Sequence, residues 1–150
     1  MARTALTSGA SGVITAAWDT GVQVPASPAS ADATNGNILG VTTGTSYGAF
    51  QTLLVVANGD SSSHNVIIRG SGYTGAASGA ANSGIASPAT TVFTQSTVGD
   101  LTVTVANGKT EVIGPFTTDR FTQSDGSLWI DWSAATSMTI YAIQLPVTVS

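Results

Sequence analysis

The chain has no cysteine, and only 8% of its 150 residues carry charge. The first absence excludes disulfide frameworks and thiolate metal sites, while leaving the redox compartment open. The second is unusual, because soluble domains are about 25% charged. Arg3, Arg69, Lys109 and Arg120 are the only cations, they do not cluster, and the net charge is −4. Phosphate contacts need clustered Lys and Arg, so no nucleic-acid partner is expected. No apolar run approaches the ~20 residues that span a bilayer. Residues 1–7 hold one cation and no apolar core of the kind a secretory leader requires. The expectation is therefore no membrane partner and synthesis in the cytoplasm.

Ser, Thr, Gly and Ala take the place of the missing charges. A surface of that kind suits strands that present hydroxyls to water, or a subunit whose faces are covered in an assembly. The positive mean hydropathy favours the assembly, because a free monomer so poor in charge is prone to associate. A chain this long buries roughly 70% of its unfolded surface and needs no staples.

The richest pattern lies in residues 98–145. Leu101, Val103 and Val105 alternate with Thr102 and Thr104, the period of a half-buried strand. Asn107-Gly108 offers a hairpin turn, Gly114-Pro115 a break, and Asp125-Gly126 a second turn. Leu128, Ile130 and Trp132 alternate with Trp129 and Asp131, and residues 137–145 form a last strand. Upstream, Leu53-Leu54-Val55-Val56 is apolar on both faces and so predicts a central strand covered twice. Asn58-Gly59 repeats the Val-Ala-Asn-Gly of residues 105–108, which suggests two hairpins with one turn solution. The expected fold is all-β: an antiparallel sandwich of jelly-roll type over residues 38–150, with an extended arm and linker over 1–37. Its expected core includes Leu53, Val55, Val66, Ile68, Leu101, Val103, Val105, Ile130 and Ile140. The proline-bearing run 25–31 reads as a linker unable to continue a ladder, and the Gly/Ala/Ser-rich run 71–90 as an insertion too rich in glycine for a helix.

Several of these strings carry a resemblance. Gly-Asp-Leu-Thr-Val-Thr-Val-Ala-Asn-Gly at 99–108, Ile113-Gly114-Pro115-Phe116, the run from Arg120 to Leu128, and Ile143-Gln144-Leu145-Pro146 resemble the small head proteins of tailed bacteriophages. Those are capsid decoration (cement) or minor capsid proteins. Leu53 to Gly59 and Asn65 to Gly70 resemble their preceding hairpin. The resemblance implies a structural role on the outer surface of the virion. The major capsid protein and sister copies would be the partners, with a trimer expected. Arg3, Leu6, Val13, Ile14 and Trp18 are expected contacts with capsid or sister subunit because residues 1–37 have few other anchors, and Trp129 because it lies on the face of its strand opposite Leu128 and Ile130. The runner-up is a glycan-binding or adhesin-like module that uses exposed aromatics to stack on sugars.

Chemistry-bearing motifs are sparse. Gly70-Ser71-Gly72-Tyr73-Thr74-Gly75 spells a dinucleotide fingerprint after an apolar strand. It lacks a following helix and the downstream acid that would hold a ribose, so it reads as a loop. His64 is the sole histidine, with no Gly-x-Ser-x-Gly elbow anywhere, and reads as a solvated loop residue. Asp119, Asp125 and Asp131 could supply a carboxylate pair, but Asp125 explains itself as a turn residue and Asp131 as an outward-facing neighbour of Trp129. No catalytic residue, metal or cofactor is expected, and the chain is not expected to be an enzyme.

Overall fold

A computed structural model describes residues 3–6, 13–15, 25, 27–40, 52–71, 99–116, 118–123 and 126–145. Among the described residues, ten short strands build two sheets: β1 (Thr4–Ala5), β2 (Val13–Thr15), β3 (Ala29–Ser30), β4 (Asn37–Gly40), β5 (Thr52–Asn58), β6 (His64–Ile68), β7 (Leu101–Val105), β8 (Thr110–Ile113), β9 (Ser127–Trp132) and β10 (Met138–Gln144). One sheet runs β1-β4-β9-β6-β7, the other β2-β10-β5-β8, with β3 also on β10. Among the described residues the pairings are antiparallel, save β1 with β4 and β2 with β10. A helical turn, Thr118–Phe121, precedes β9. The fold is an all-β sandwich.

The core lies between the inner faces. Val66, Ile68, Val105, Ile130 and Ile140 are in it, with Leu101 and Val103 packed at its margin. On β5, however, the core residues are Leu54 and Val56. Leu53 and Val55 lie on the other face, where Val55 is buried as expected and Leu53 only partly so. An unbroken apolar run has no period from which to read a face. Register decides instead: Leu54 and Val56 sit opposite Ile113, Ala142 and Ile140. Leu6, Leu39, Phe116, Phe121, Leu128, Trp132 and Met138 complete the core. The rings of Phe116 and Phe121 meet edge-on at 5.6 Å.

Residues 1–37, read as arm and linker, contribute strands to both sheets. Thr4 N–H donates to Gly36 C=O and Leu6 N–H to Ile38 C=O, which lays β1 along β4. β2 lies along β10, and β3, just after Pro28, pairs with Thr139 and Ile140. Strands of two or three residues are too short to show a period of two.

The repeated Val-Ala-Asn-Gly segments turn out to be arches rather than hairpins. β5 and β8 pair in one sheet while β6 and β7 pair in the other, so each loop carries the chain between layers. The two arches stack. Asn58 N–H donates to Lys109 C=O (2.9 Å), Asn58 Nδ2 to Val105 C=O (2.9 Å), and Asn107 Nδ2 to Ser61 C=O (2.9 Å). Their turn solutions differ, since Gly108 has φ +65 and Gly59 is not among the positive-φ glycines.

Candidate functional site

Charge is where this chain departs from an ordinary surface. Trp129 and Asp131 face away from the core side chains of β9, opposite Ile38 and Ile67 of the flanking strands. Arg69 follows Ile67 on that same face, and Arg3 reaches it from the start of β1. Asp131 and Arg69 are nonetheless fully buried and Arg3 is 8% exposed. Arg3 grips the carboxylate with both terminal nitrogens, Nη1 to Oδ1 at 2.5 Å and Nη2 to Oδ2 at 3.1 Å. Arg69 Nε donates to Oδ2 from the other side. Arg69 also reaches Asp100 Oδ2 at 2.6 Å, and Asp100 Oδ1 accepts Gly70 N–H at 2.8 Å. Gln123 Nε2 donates to the carbonyls of Arg69 and Gly70. The guanidinium of Arg3 lies over the Trp129 ring, 4.6 Å from its centroid, a cation–π contact.

The turn that seats Arg3 is built by Asp32. Its Oδ1 accepts the N–H of Thr34 and Asn35, and its Oδ2 takes the Asn35 amide and the Thr4 hydroxyl. That is an Asx turn, and Gly36 closes it at φ +72. Partial burial opposes ionisation of Asp32, but the donors of Thr4, Asn35 and Thr34 outweigh it and hold the carboxyl below its usual range. A carboxyl lowered on folding contributes its stability above its unfolded pKa of ~3.9, and loses it as pH falls through the folded value. An Asp32→Asn variant should therefore lose less stability between neutral and acid solution than the parent chain. Urea midpoints at the two pH values measure this, and equal losses would exclude Asp32 as a contributor.

The expected chemical residues fall elsewhere. His64 opens β6 half-buried, with Nε2 on Asp60 Oδ2 at 2.6 Å, so it is not the solvated loop residue its surroundings in sequence suggest. That hydrogen bond is the main cause holding the Asp60 carboxyl low. Ser61 Oγ lies on Asp60 at 3.5 Å and not on the imidazole, so the three do not form a relay. Both oxygens of Asp131 are taken up by arginines, which leaves them no freedom to act as a base. Gly70 N–H, where a fingerprint would meet a phosphate, is held by Asp100. Gly72 to Gly75, Asp125 and the Asp119 side chain lie outside the described residues. Among the described residues, no three His, Asp or Glu converge as a metal site, and no helix is long and apolar enough to cross a membrane.

Of the expected contact residues, Arg3 and Leu6 are seated inside their own chain. Val13 and Ile14 lie in β2 beside β10. Trp129 is half-buried beneath Arg3, with Nε1 donating to Ser127 Oγ at 2.9 Å. Trp18 lies outside the described residues. Sequence reasoning missed the Arg3–Asp131–Arg69–Asp100 chain altogether. Its one legible sign is an arginine directly after the apolar Val66-Ile67-Ile68. Comparisons with family models, characterised proteins and solved structures give no match for this chain.

Proposed function

We propose that this chain is a structural, non-enzymatic protein of a tailed-phage head, a decoration or cement subunit bound to the outer capsid surface. One observation supports the reading above the others: half of the chain's scarce cations are taken inside. Two of its four cations, Arg3 and Arg69, are consumed by the buried network. What remains outside on the described strands is largely threonine and serine, with Val112 61% exposed and Leu145, just past β10, 37% exposed. An exterior so poor in charge is ill suited to a free monomer and well suited to a surface that other copies or a lattice cover. The network takes the place of surface charge as the brace.

The mechanism is linkage. A subunit that binds the assembled shell and not the free capsid protein stabilises the shell by about 4 kcal/mol per site at a thousandfold excess over its dissociation constant. The partners are the major capsid protein and sister copies, in a trimer on a local threefold axis. A glycan-binding module gains no support from the described aromatics. Trp132, Phe116 and Phe121 are in the core, Tyr141 is buried, and Trp129 lies under Arg3.

The test mixes purified protein with heads lacking it, taken from the phage whose genome carries the gene, and with unassembled capsid protein. Co-sedimentation with heads alone, together with a raised temperature of head disruption, is expected. Failure to sediment with heads, or retention on a glycan array in its place, overturns the proposal.

A further inference from the structure

We propose that Asn107 is a site of spontaneous deamidation, which slowly converts the β7–β8 arch from an amide to a carboxylate. The chain has three described Asn-Gly pairs, at 35–36, 58–59 and 107–108. In such a pair the glycine nitrogen can attack the asparagine Cγ, because no side chain hinders its approach. A bond from Gly108 N to Asn107 Cγ forms, the Cγ–Nδ2 bond breaks, and ammonia leaves with the amide proton. Water then opens the resulting succinimide at either carbonyl, to aspartate or to isoaspartate. The balance is amide plus water to carboxylate plus ammonium, with no oxidant and no enzyme.

The fold protects two of the pairs. Asn58 is only 2% exposed, and every polar atom of its side chain is engaged: Nδ2 with Ser62 and Val105 carbonyls, Oδ1 with Asp60 N–H. The attacking nitrogen there, Gly59 N, is tied to Ser137 C=O at 2.9 Å. Asn35 is held by Asp32 through its backbone N–H and its side-chain amide, and Gly36 N–H donates to Asp32 C=O at 2.8 Å. Freeing either nitrogen means opening the turn that carries it.

Asn107 is different. It is exposed, at the tip of an arch closed by Lys109 N–H to Ala106 C=O. Gly108 has open space around it, with nothing within 4 Å of where a Cβ would lie. One side-chain bond restrains the amide, Nδ2 to Ser61 C=O at 2.9 Å. Conversion removes that donor and sets an anion against a carbonyl, so it unfastens one tie between the stacked arches. It also takes the net charge one unit below −4, on a surface with little charge to mask the change.

The experiment incubates the folded protein in warm, mildly alkaline buffer and maps its peptides by mass spectrometry, in parallel with a sample in concentrated urea. In urea all three asparagines should convert at comparable rates, since each precedes glycine. In the folded protein the Asn107 peptide should convert, with aspartate and isoaspartate resolved, while Asn35 and Asn58 keep their amides. An Asn107→Gln variant should lose the more acidic species on isoelectric focusing. Conversion of Asn35 or Asn58 as fast as Asn107 in the folded state overturns the proposal. So does an Asn107 that stays intact when folded and reacts only in urea.

Discussion

Replacing Asp131 with alanine is expected to cost about 3–5 kcal/mol of folding stability, the penalty for stranding buried charge. The residue stands between two guanidinium groups, and both lose their shared anion when it goes. Arg69 keeps Asp100, whereas Arg3 keeps only the Trp129 ring and weaker bonds to the carbonyls of Asn37 and Ile130. Arg3→Met should cost less, because Asp131 then still holds Arg69 and the aliphatic replacement still covers Trp129. Urea unfolding with an unchanged m-value separates a loss of stability from a change in compactness. A loss no larger than the ~0.5 kcal/mol of an ordinary surface substitution would mean that the network is not the brace.

Gly36→Ala should rank next, and its damage should be local. The residue sits at φ +72, where a side chain costs about 1–3 kcal/mol. A Cβ there would also fall on Arg3 Nη1 and Asp131 Oδ1, and within 2.9 Å of Ile130 O. The carbonyl of Gly36 receives Thr4 N–H, so any shift of the turn lifts β1 from its edge. Amide exchange at Thr4 and Leu6 should accelerate well before that in β5 or β10, as expected for opening of one edge alone. Gly108→Ala is the control, because its surroundings are empty and only the positive φ is charged against it. Equal exchange at Thr4 and Leu6 in both variants would refute the close approach at Gly36.

Legibility in the sequence followed the reach of each signal. Alternation between Leu101 and Val105, and between Leu128 and Trp132, is visible because polar and apolar residues change places along the strand. It placed Trp132 and Ile130 inside and Trp129 outside. Leu53 to Val56 has no such contrast, so its face depended on partners far along the chain, Ile113 and Ile140. Turn chemistry was visible at Asn58-Gly59 and Asn107-Gly108. Whether a turn joins neighbours in one sheet or crosses to the other layer is a tertiary fact, and here both Val-Ala-Asn-Gly loops cross. The ionic network was invisible for the same reason. Arg3, Arg69, Asp100 and Asp131 are scattered in sequence, and only the order β1-β4-β9-β6-β7 brings them to one spot. Asp131 reads as an outward residue because its strand position is indeed outward. The pattern carries no information about what then buries it.

The pairings of β10 have a consequence for timing. Residues 138–144 are the template on which β2, β3 and β5 all align, and Asp131, just upstream, is the anchor for Arg3. β1–β4, β5–β8 and β6–β7 join residues made earlier, but neither sheet is complete until β9 and β10 are made. While the ribosome is still elongating, Leu54 and Val56 have no β10 to cover them and β1 has no β9 beside its neighbour. The sandwich therefore closes late and through contacts of long sequence separation, which form slowly because loop closure precedes their reward. A nascent chain stalled before residue 127 should remain protease-sensitive throughout, whereas release after residue 145 should allow protection to appear in one concerted step.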